Sequence, residues 1–529
     1  MAEAKTIVKE KGAIFWLAKN ITGAVLRFTD RHWIIKALFR ILVVLAVVFV
    51  FITRAAWQPI VLEVRLHSPH IFFGLLFWFL MRTLWRSRRR AAFWIIAIVT
   101  VTMFGLVERY NLDPVQYTTL YLRYKSLDLK ELSDLPQTDH ERVQPLHSIR
   151  MVAGEKITIA ERASDPNFVR VGSDQYRFTM AIEPSYNVPR LFGNIQEIFN
   201  LSATSPALDF STSREKVKFA VGEGLLWGKN AHVNVINSFM FFRFLGYKPT
   251  EVRYITDDSG DWVEVIPLIR YTGLFPRPEF GGVQIIHQSS GGFWHSLKSL
   301  FIGDGYWIHP RDIGKFPYLR GQNLIPTEVS RFMAESFKFQ GGILAPLPGF
   351  HNGDLRVPDL PGDQNDQPYV TYDRFTPGIG DGNKLYHYFS LQAFQKNSEG
   401  LNTSLFVPAD GIGQVGVYRH SEKQDGLTGI TAIDPMVRDS QPMFDWSSKG
   451  TAEHRPFIRK MDGKTRFFWL STVVTYKDAN GKKAGDFIAG TIPLVALTDA
   501  ASRKVIWVDA DKPKEWESQV EKVMGTIWK

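Results

Sequence analysis

The chain has 529 residues and no cysteine, with 45% hydrophobic and 22% charged residues, a composition ordinary for a packed protein of two or three domains. The missing cysteines exclude a cysteine nucleophile, thiolate-ligated zinc and iron–sulfur clusters. The formal charge of +10 does not point to nucleic acid: residues 1–110 carry 16 Lys and Arg against 5 Asp and Glu, leaving 47 against 48 for the rest.

Residues 1–33 read as a cytoplasmic segment. Within it "AKTIVKEKGAIFWLAKNITGAVLRF" spaces Ile7, Ile14, Phe15 and Leu17 among lysines, the pattern of an amphipathic helix lying on anionic lipid. Residues 34–107 hold three apolar runs, Ala37–Ile52, His70–Trp85 and Ala91–Val107, predicted as three transmembrane helices. Each is near the short end of the roughly 17 to 25 residues that cross a bilayer. Eight Lys and Arg precede or open the first run, five close or follow the second (Arg82, Arg86, Arg88, Arg89 and Arg90), and only Arg54 and Arg65 lie between the first and second. The positive-inside rule then puts the N-terminus in the cytoplasm and residues 108–529 outside it, with a bacterial inner membrane and a periplasmic domain as the preferred setting. The first apolar run begins too late for a cleavable signal peptide.

From residue 108 onward the pattern predicts a mixed α/β region, mostly antiparallel sheet, in two lobes: 108–344 and 386–529, joined by a Pro/Gly/Asp-rich loop or linker over 345–385. A helix should start at Pro114 with Asp113 as its cap. The capping-box spacing of Thr212 and Glu215 predicts a helix pair over 211–247, stopped by Gly246. Strands are expected in "TEVRYITDDSGDWVEVIPLIRY" and "GGVQIIHQ", then in "TRFFWLSTVVTYKDANGKK", "DFIAGTIPLVALTD" and "RKVIWVD". The two groups, Thr250–Gln288 and Thr465–Asp509, share an order compatible with duplication of one α+β unit. "KPKEWESQVEKVMGTIW" predicts a closing helix.

"GIGQVG", residues 411–416, spells a dinucleotide-binding string, but β-type and turn-rich sequence follows it where a phosphate-binding helix is needed. It reads as a turn in a β-meander, and no cofactor is implied. "SREK", Ser213–Lys216, has the spacing of a serine nucleophile with a lysine base, at the first turn of the predicted helix. His287 and His309 end two short apolar runs, with His295, Asp304 and Asp312 near them. If those run-ends were neighbours on a sheet edge, His287, His309 and Asp304 would make a catalytic or zinc-binding group. Asp257, Asp258 and Asp261 in "DDSGD" are the metal candidates, for calcium, although they lack EF-hand spacing; "DQND" and "GDGN" offer Asp363, Asp366, Asp381 and Asn383 in the same way.

With 39 Phe, 17 Tyr and 15 Trp, the chain carries aromatic runs such as "SFMFFRF" that bury in a core or in an interface. The expectation is a membrane-anchored structural, scaffold or assembly protein rather than an enzyme. Its partners are the lipid bilayer and other membrane or extracytoplasmic proteins, including a second copy in a homo-oligomer. The alternatives are a membrane-tethered hydrolase using the His287 and His309 region, and a sensor or transporter accessory subunit.

Overall fold

The computed structural model describes residues 33–527 except 87–89, 110–112, 140, 173–174, 206–212, 240, 348, 352, 361–366, 374–383, 395–398, 421–425, 447–448, 462, 477–486, 489–493, 510–511 and 513–514. The amphipathic segment before Trp33, the Asn480–Gly481 turn and the "DQND" and "GDGN" carboxylates lie outside the described residues. The chain divides into two compact units, residues 1–59 and 60–529.

In the first unit, α1 (Trp33–Ile52) is a 20-residue apolar helix. Thr53 breaks it, and α2 (Arg54–Leu66) departs at 74°. Carbonyls that α1 leaves unpaired at its end are taken by side chains: Trp57 Nε1 donates to Val50 O at 2.9 Å and Arg54 Nη1 to Phe51 O at 3.2 Å. Helix α2 occupies what the sequence presents as a connection, because its mixture of Gln58, Pro59, Glu63 and Arg65 hides the periodicity.

In the second unit α3 (Ser68–Arg86) and α4 (Arg90–Arg109) cover the other two apolar runs. Among the described residues no single helix is long and apolar enough to cross a membrane; the bent pair Ala37–Ile52 and Arg54–Leu66 meets the same measure together. Arg65 Nη2 donates to Tyr271 O at 2.9 Å, and Phe73 stacks on Phe275 with centroids 6.4 Å apart. Helix α5 (Pro114–Ser126) starts as expected, with Asp113 Oδ1 accepting from Val115 N at 2.8 Å.

After β1 (Leu129–Glu131), β2 (Thr138–Asp139) and α6 (Leu146–Lys156) come four largely antiparallel sheets. Sheet I contains β3 (Glu161–Ala163), β4 (Asn167–Val171), β5 (Gln175–Pro184), β6 (Ile195–Ser202) and β7 (Arg214–Phe219), with α7 (Asn187–Phe192) between β5 and β6. Helix α8 (Ala231–Ser238) leads to sheet II: β8 (Tyr247–Pro249), β9 (Arg253–Thr256), β10 (Trp262–Thr272), β11 (Arg277–His287) and β12 (Tyr306–Ile308), with α9 (Phe293–Ser299) before β12. Helix α10 (Thr327–Glu335) precedes sheet III, whose meander is β13 (Leu355–Arg356), β14 (Tyr369–Asp373), β15 (Lys384–Ala393), β16 (Thr403–Pro408) and β17 (Val415–Arg419). Strand β1 joins it parallel to β17 and β2 antiparallel to β14. Helix α11 (Ile433–Ser440) precedes sheet IV, made of β18 (Lys449–Met461), β19 (Lys464–Tyr476), β20 (Phe487–Ile488), β21 (Leu494–Asp499) and β22 (Val505–Asp509), and α12 (Trp516–Ile527) closes the chain.

Each sheet is a meander of consecutive strands around a long central strand, and in sheets I to III two short opening strands both pair with it. The two strand groups expected as a duplication are therefore parts of a pattern that recurs four times. Residues 345–385, expected as a linker, supply β13 and β14, and with β1 and β2 they tie sheet III to both expected lobes. Strand β10 is largely apolar because both its faces are covered along most of its length: Val263 and Val265 pack with Val283, Ile285 and Val169 of sheet I.

The helix expected from Thr212 and Glu215 is instead β7. Arg214 pairs with Phe199 and Glu215 with Ile198, and Val217 and Phe219 alternate inward with a period of two. The second half of that stretch is helical, as α8 capped by Asn230 and a 3-10 turn ending at Gly246.

Candidate functional site

The opening strands of all four sheets contribute to one cavity of about 580 Å³. Sheet I supplies Asn167 and Phe168, sheet II Arg253, sheet III Tyr369 and Val370, and sheet IV Glu453; Arg142, Arg150, Glu251, Asn323, Arg331 and Gln367 are among the other wall residues. The size is that of a small-molecule site, roughly 300–1,000 Å³.

Glu453 is buried at a bulge in β18, where the register shifts between Ala452 and Arg455, and its φ is +48°. A glutamate in the left-handed region is strained, and such strain collects where a side chain must be aimed against local preference. Its Oε2 accepts from Arg142 Nη2 and, at 3.0 Å, from Arg455 Nη1; its Oε1 accepts from Leu146 N at 2.7 Å. That last bond caps α6, whose own N-cap Pro145 supplies no side-chain bond. Burial brings the Arg455 guanidinium down to about 9, with Glu453 opposing the shift, so the group stays cationic at neutral pH. Two buried arginines around one carboxylate leave one positive charge.

Arg253 opens β9 and is fully enclosed. Its Nη1 donates to Asn323 Oδ1 at 3.2 Å and Nη2 to Ile325 O at 3.5 Å, while Nε has no hydrogen-bond partner among the described residues. Burial draws it down to about 10, which still leaves it charged. Asn323 Oδ1 also accepts from His387 Nε2 at 2.8 Å, and His387 Nδ1 faces Ser330 Oγ at 2.7 Å. The acceptor oxygen of Asn323 places an imidazole proton on Nε2, while Nδ1 lies beside the Ser330 hydroxyl, which also donates to Thr327 O at 3.0 Å. Burial first, and Arg253 second, push His387 down to about 3.

A second cavity of about 410 Å³ shares Glu251, Arg253 and Thr327 with the first and adds Asp165, Glu223, His232 and Glu328. Burial, with like charges on Glu183, Asp165 and Glu251 adding to it and the Val252 amide opposing, raises Glu223 to about 7.

The residues singled out from sequence lie elsewhere. The β11–β12 register pairs Val283 with Ile308 and Ile285 with Tyr306, so His309 falls opposite Gly282 while His287 stands at the other end. Five residues of strand separate the two histidines by roughly 16 Å, and they form no joint group. His287 stacks on Tyr306, and His309 Nδ1 accepts from Arg311 N at 3.1 Å as a cap. Asp304 is brought to His295, at 2.9 Å, and accepts a longer bond from Asn234. Burial works against the Asp304 carboxylate, yet the His295 contact holds it below its usual range. Asp312 pairs with Lys315 at 2.6 Å. The Asp257 carboxylate serves its own turn, accepting from Ser259 N at 2.8 Å and Asp261 N at 3.0 Å. Among the described residues no group of three or more His, Asp or Glu is arranged to hold a metal ion. Ser213 and Lys216, three apart at the start of an extended strand, point to opposite faces. The Gly-rich string forms the β16–β17 hairpin, with Gly411 and Gly413 at φ of +74° and +108°.

Sequence reasoning passed over Arg142, Arg253, Asn323 and Glu453. The available signal was a charge inside an otherwise apolar strand, as in "EVRYIT" and "EHRPFI". No protein-family model, no curated protein and no solved structure matches the chain.

Proposed function

We propose that the chain is a membrane-anchored assembly protein, held in the cytoplasmic membrane by its N-terminal helices, whose extracytoplasmic sheets bind another protein. The observation that carries this reading is where the large exposed apolar side chains fall. One set covers α1, α3 and α4, including Leu45, Phe49, Phe72, Phe79, Ile95 and Ile98. Left in water, so dense a set would exceed the apolar patch that a soluble monomer tolerates.

The second set lies on α7 and α9. Phe293 and Trp294 are 59% and 77% exposed, with Val188, Phe192, Leu297 and Ile302 exposed beside them. Phe192 and Phe293 meet with ring centroids 6.2 Å apart, and Ser296 Oγ donates to Leu191 O, so the two helices form one surface. Trp227, at φ +56° and exposed, adjoins it through Gly228, which lies against Ser299. Aromatic anchors of this kind contribute about 2 kcal/mol or more each when a protein partner buries them. The test is the mass of the detergent-purified chain and of a Phe293→Asp/Trp294→Asp variant. The wild type should run as a complex and the variant as a monomer; a wild-type monomer with no co-purifying chain would overturn the proposal. A second reading, as a sensor or accessory subunit, is favoured only by the polar cavity.

A further inference from the structure

The central cavity is lined by four arginines, and three have carboxylate partners. Arg142 meets Glu453, Arg150 meets Asp165 at 2.9 Å, and Arg331 meets Glu335 at 3.1 Å and Asp359 at 3.5 Å. Arg253, the most enclosed of them, makes no ion pair among the described residues. Glu251 lines the same cavity but is exposed and does not pair with it. A buried guanidinium answered only by an amide oxygen and a backbone carbonyl is costly to maintain, since buried charges are normally paired. Its neighbours do not neutralise it: His387 is held uncharged behind Asn323, and the Glu453 carboxylate is already shared by two arginines.

We propose that this cavity binds a small organic anion whose carboxylate or phosphate head pairs with Arg253. The guanidinium fork suits both heads, because its planar N–H donors match carboxylate and phosphate oxygens. Asn167 and Gln367 stand on the cavity wall as further polar groups, while Phe168 and Tyr369 offer flat apolar faces to the body of the ligand. The cavity holds far more than an inorganic ion, which is why the ligand is taken as an organic acid or ester. This assignment is independent of the anchoring and assembly proposal, because it concerns a site inside the sheets.

The full chain in detergent would be titrated with inorganic phosphate, benzoate and phenyl phosphate, following heat release and thermal midpoint. Phenyl phosphate or benzoate should bind saturably and raise the midpoint, more tightly than inorganic phosphate. Arg253→Gln should weaken that binding at least tenfold, and without ligand should be no less stable than the wild type, because an uncompensated cation is gone. Thr327→Phe, at an exposed position on the cavity wall, should block binding with the fold intact and gives the answer if Arg253→Gln does not fold. Absence of binding by all three probes, or binding unchanged in a folded variant, would overturn the proposal. Binding of inorganic phosphate alone would also count against it.

Discussion

At the scale of single residues, the buried polar network links positions far apart in sequence, and its protonation has a defined direction. His387 is fully buried behind Arg253 and Asn323 and titrates near 3, against about 6.5 in an unfolded chain. Between those values the unfolded chain takes up a proton that the folded one refuses. The stability contributed by His387 is therefore fully present above about pH 6.5 and falls as the pH drops toward 3. Glu223 acts in the opposite sense: raised to about 7 from 4.5, it contributes stability present below pH 4.5 and lost as the pH rises through 7. Comparing urea midpoints of the wild type and His387→Gln across this range cancels the Glu223 part. The variant should show a shallower loss on acidification, and parallel curves for the two proteins would rule out His387 as a source of acid sensitivity. None of this was legible in the sequence, because a histidine in "LYHYF" looks the same whether it is solvated or enclosed. The separation of His287 from His309 likewise depends on strand register, which two isolated apolar runs do not reveal.

At the scale of elements, local chemistry was readable and pairing was not. Asp113–Pro114 starts α5 as its cap chemistry requires, and the "DDSG" turn with Gly260 at φ +85° joins β9 to β10. By contrast "TSREKVKF" satisfies a helical capping box and a half-buried strand equally well, and only the pairing of Arg214–Phe219 with β6 decides for β7. The Gly411–Gly416 hairpin was legible because the residues beyond it lack helical character. Its glycines are also there for different reasons, which gives a prediction. A Cβ on Gly411 would lie 2.6 Å from Phe280 Cδ1 at a backbone φ of +74°. One on Gly416, in extended backbone, would meet Leu132 Cδ1 at 3.1 Å, where a flexible side chain yields. Gly411→Ala should therefore cost roughly 1–3 kcal/mol in urea unfolding and Gly416→Ala clearly less. Equal losses would mean that the turn conformation is not what selects glycine at 411.

At the scale of the whole molecule, four meanders bring their opening strands to a common cavity. This repetition escaped the sequence because the opening strands are split and the connections differ in length, so no fixed period survives. The proposed anchor rests on a different argument, one of charge. The connection from the end of α3 to the start of α4 carries Arg86, Arg88, Arg89 and Arg90, whereas α2, separated from it by α3 alone, carries only Arg54 and Arg65. On the proposed anchoring, the positive-inside rule predicts that the arginine-rich connection is cytoplasmic and the sheets lie on the opposite side. Arg65 and Phe73 engage Tyr271 and Phe275 near the start of α3, at the end away from the arginine cluster. In a bacterial host, protease added to intact spheroplasts should therefore degrade residues 108–529 while the N-terminus stays protected. Replacing Arg86, Arg88, Arg89 and Arg90 by Ser should shift a fraction of the molecules to a protected state. Complete protection of the wild-type sheets would reverse the topology and remove the basis for an extracytoplasmic assembly role.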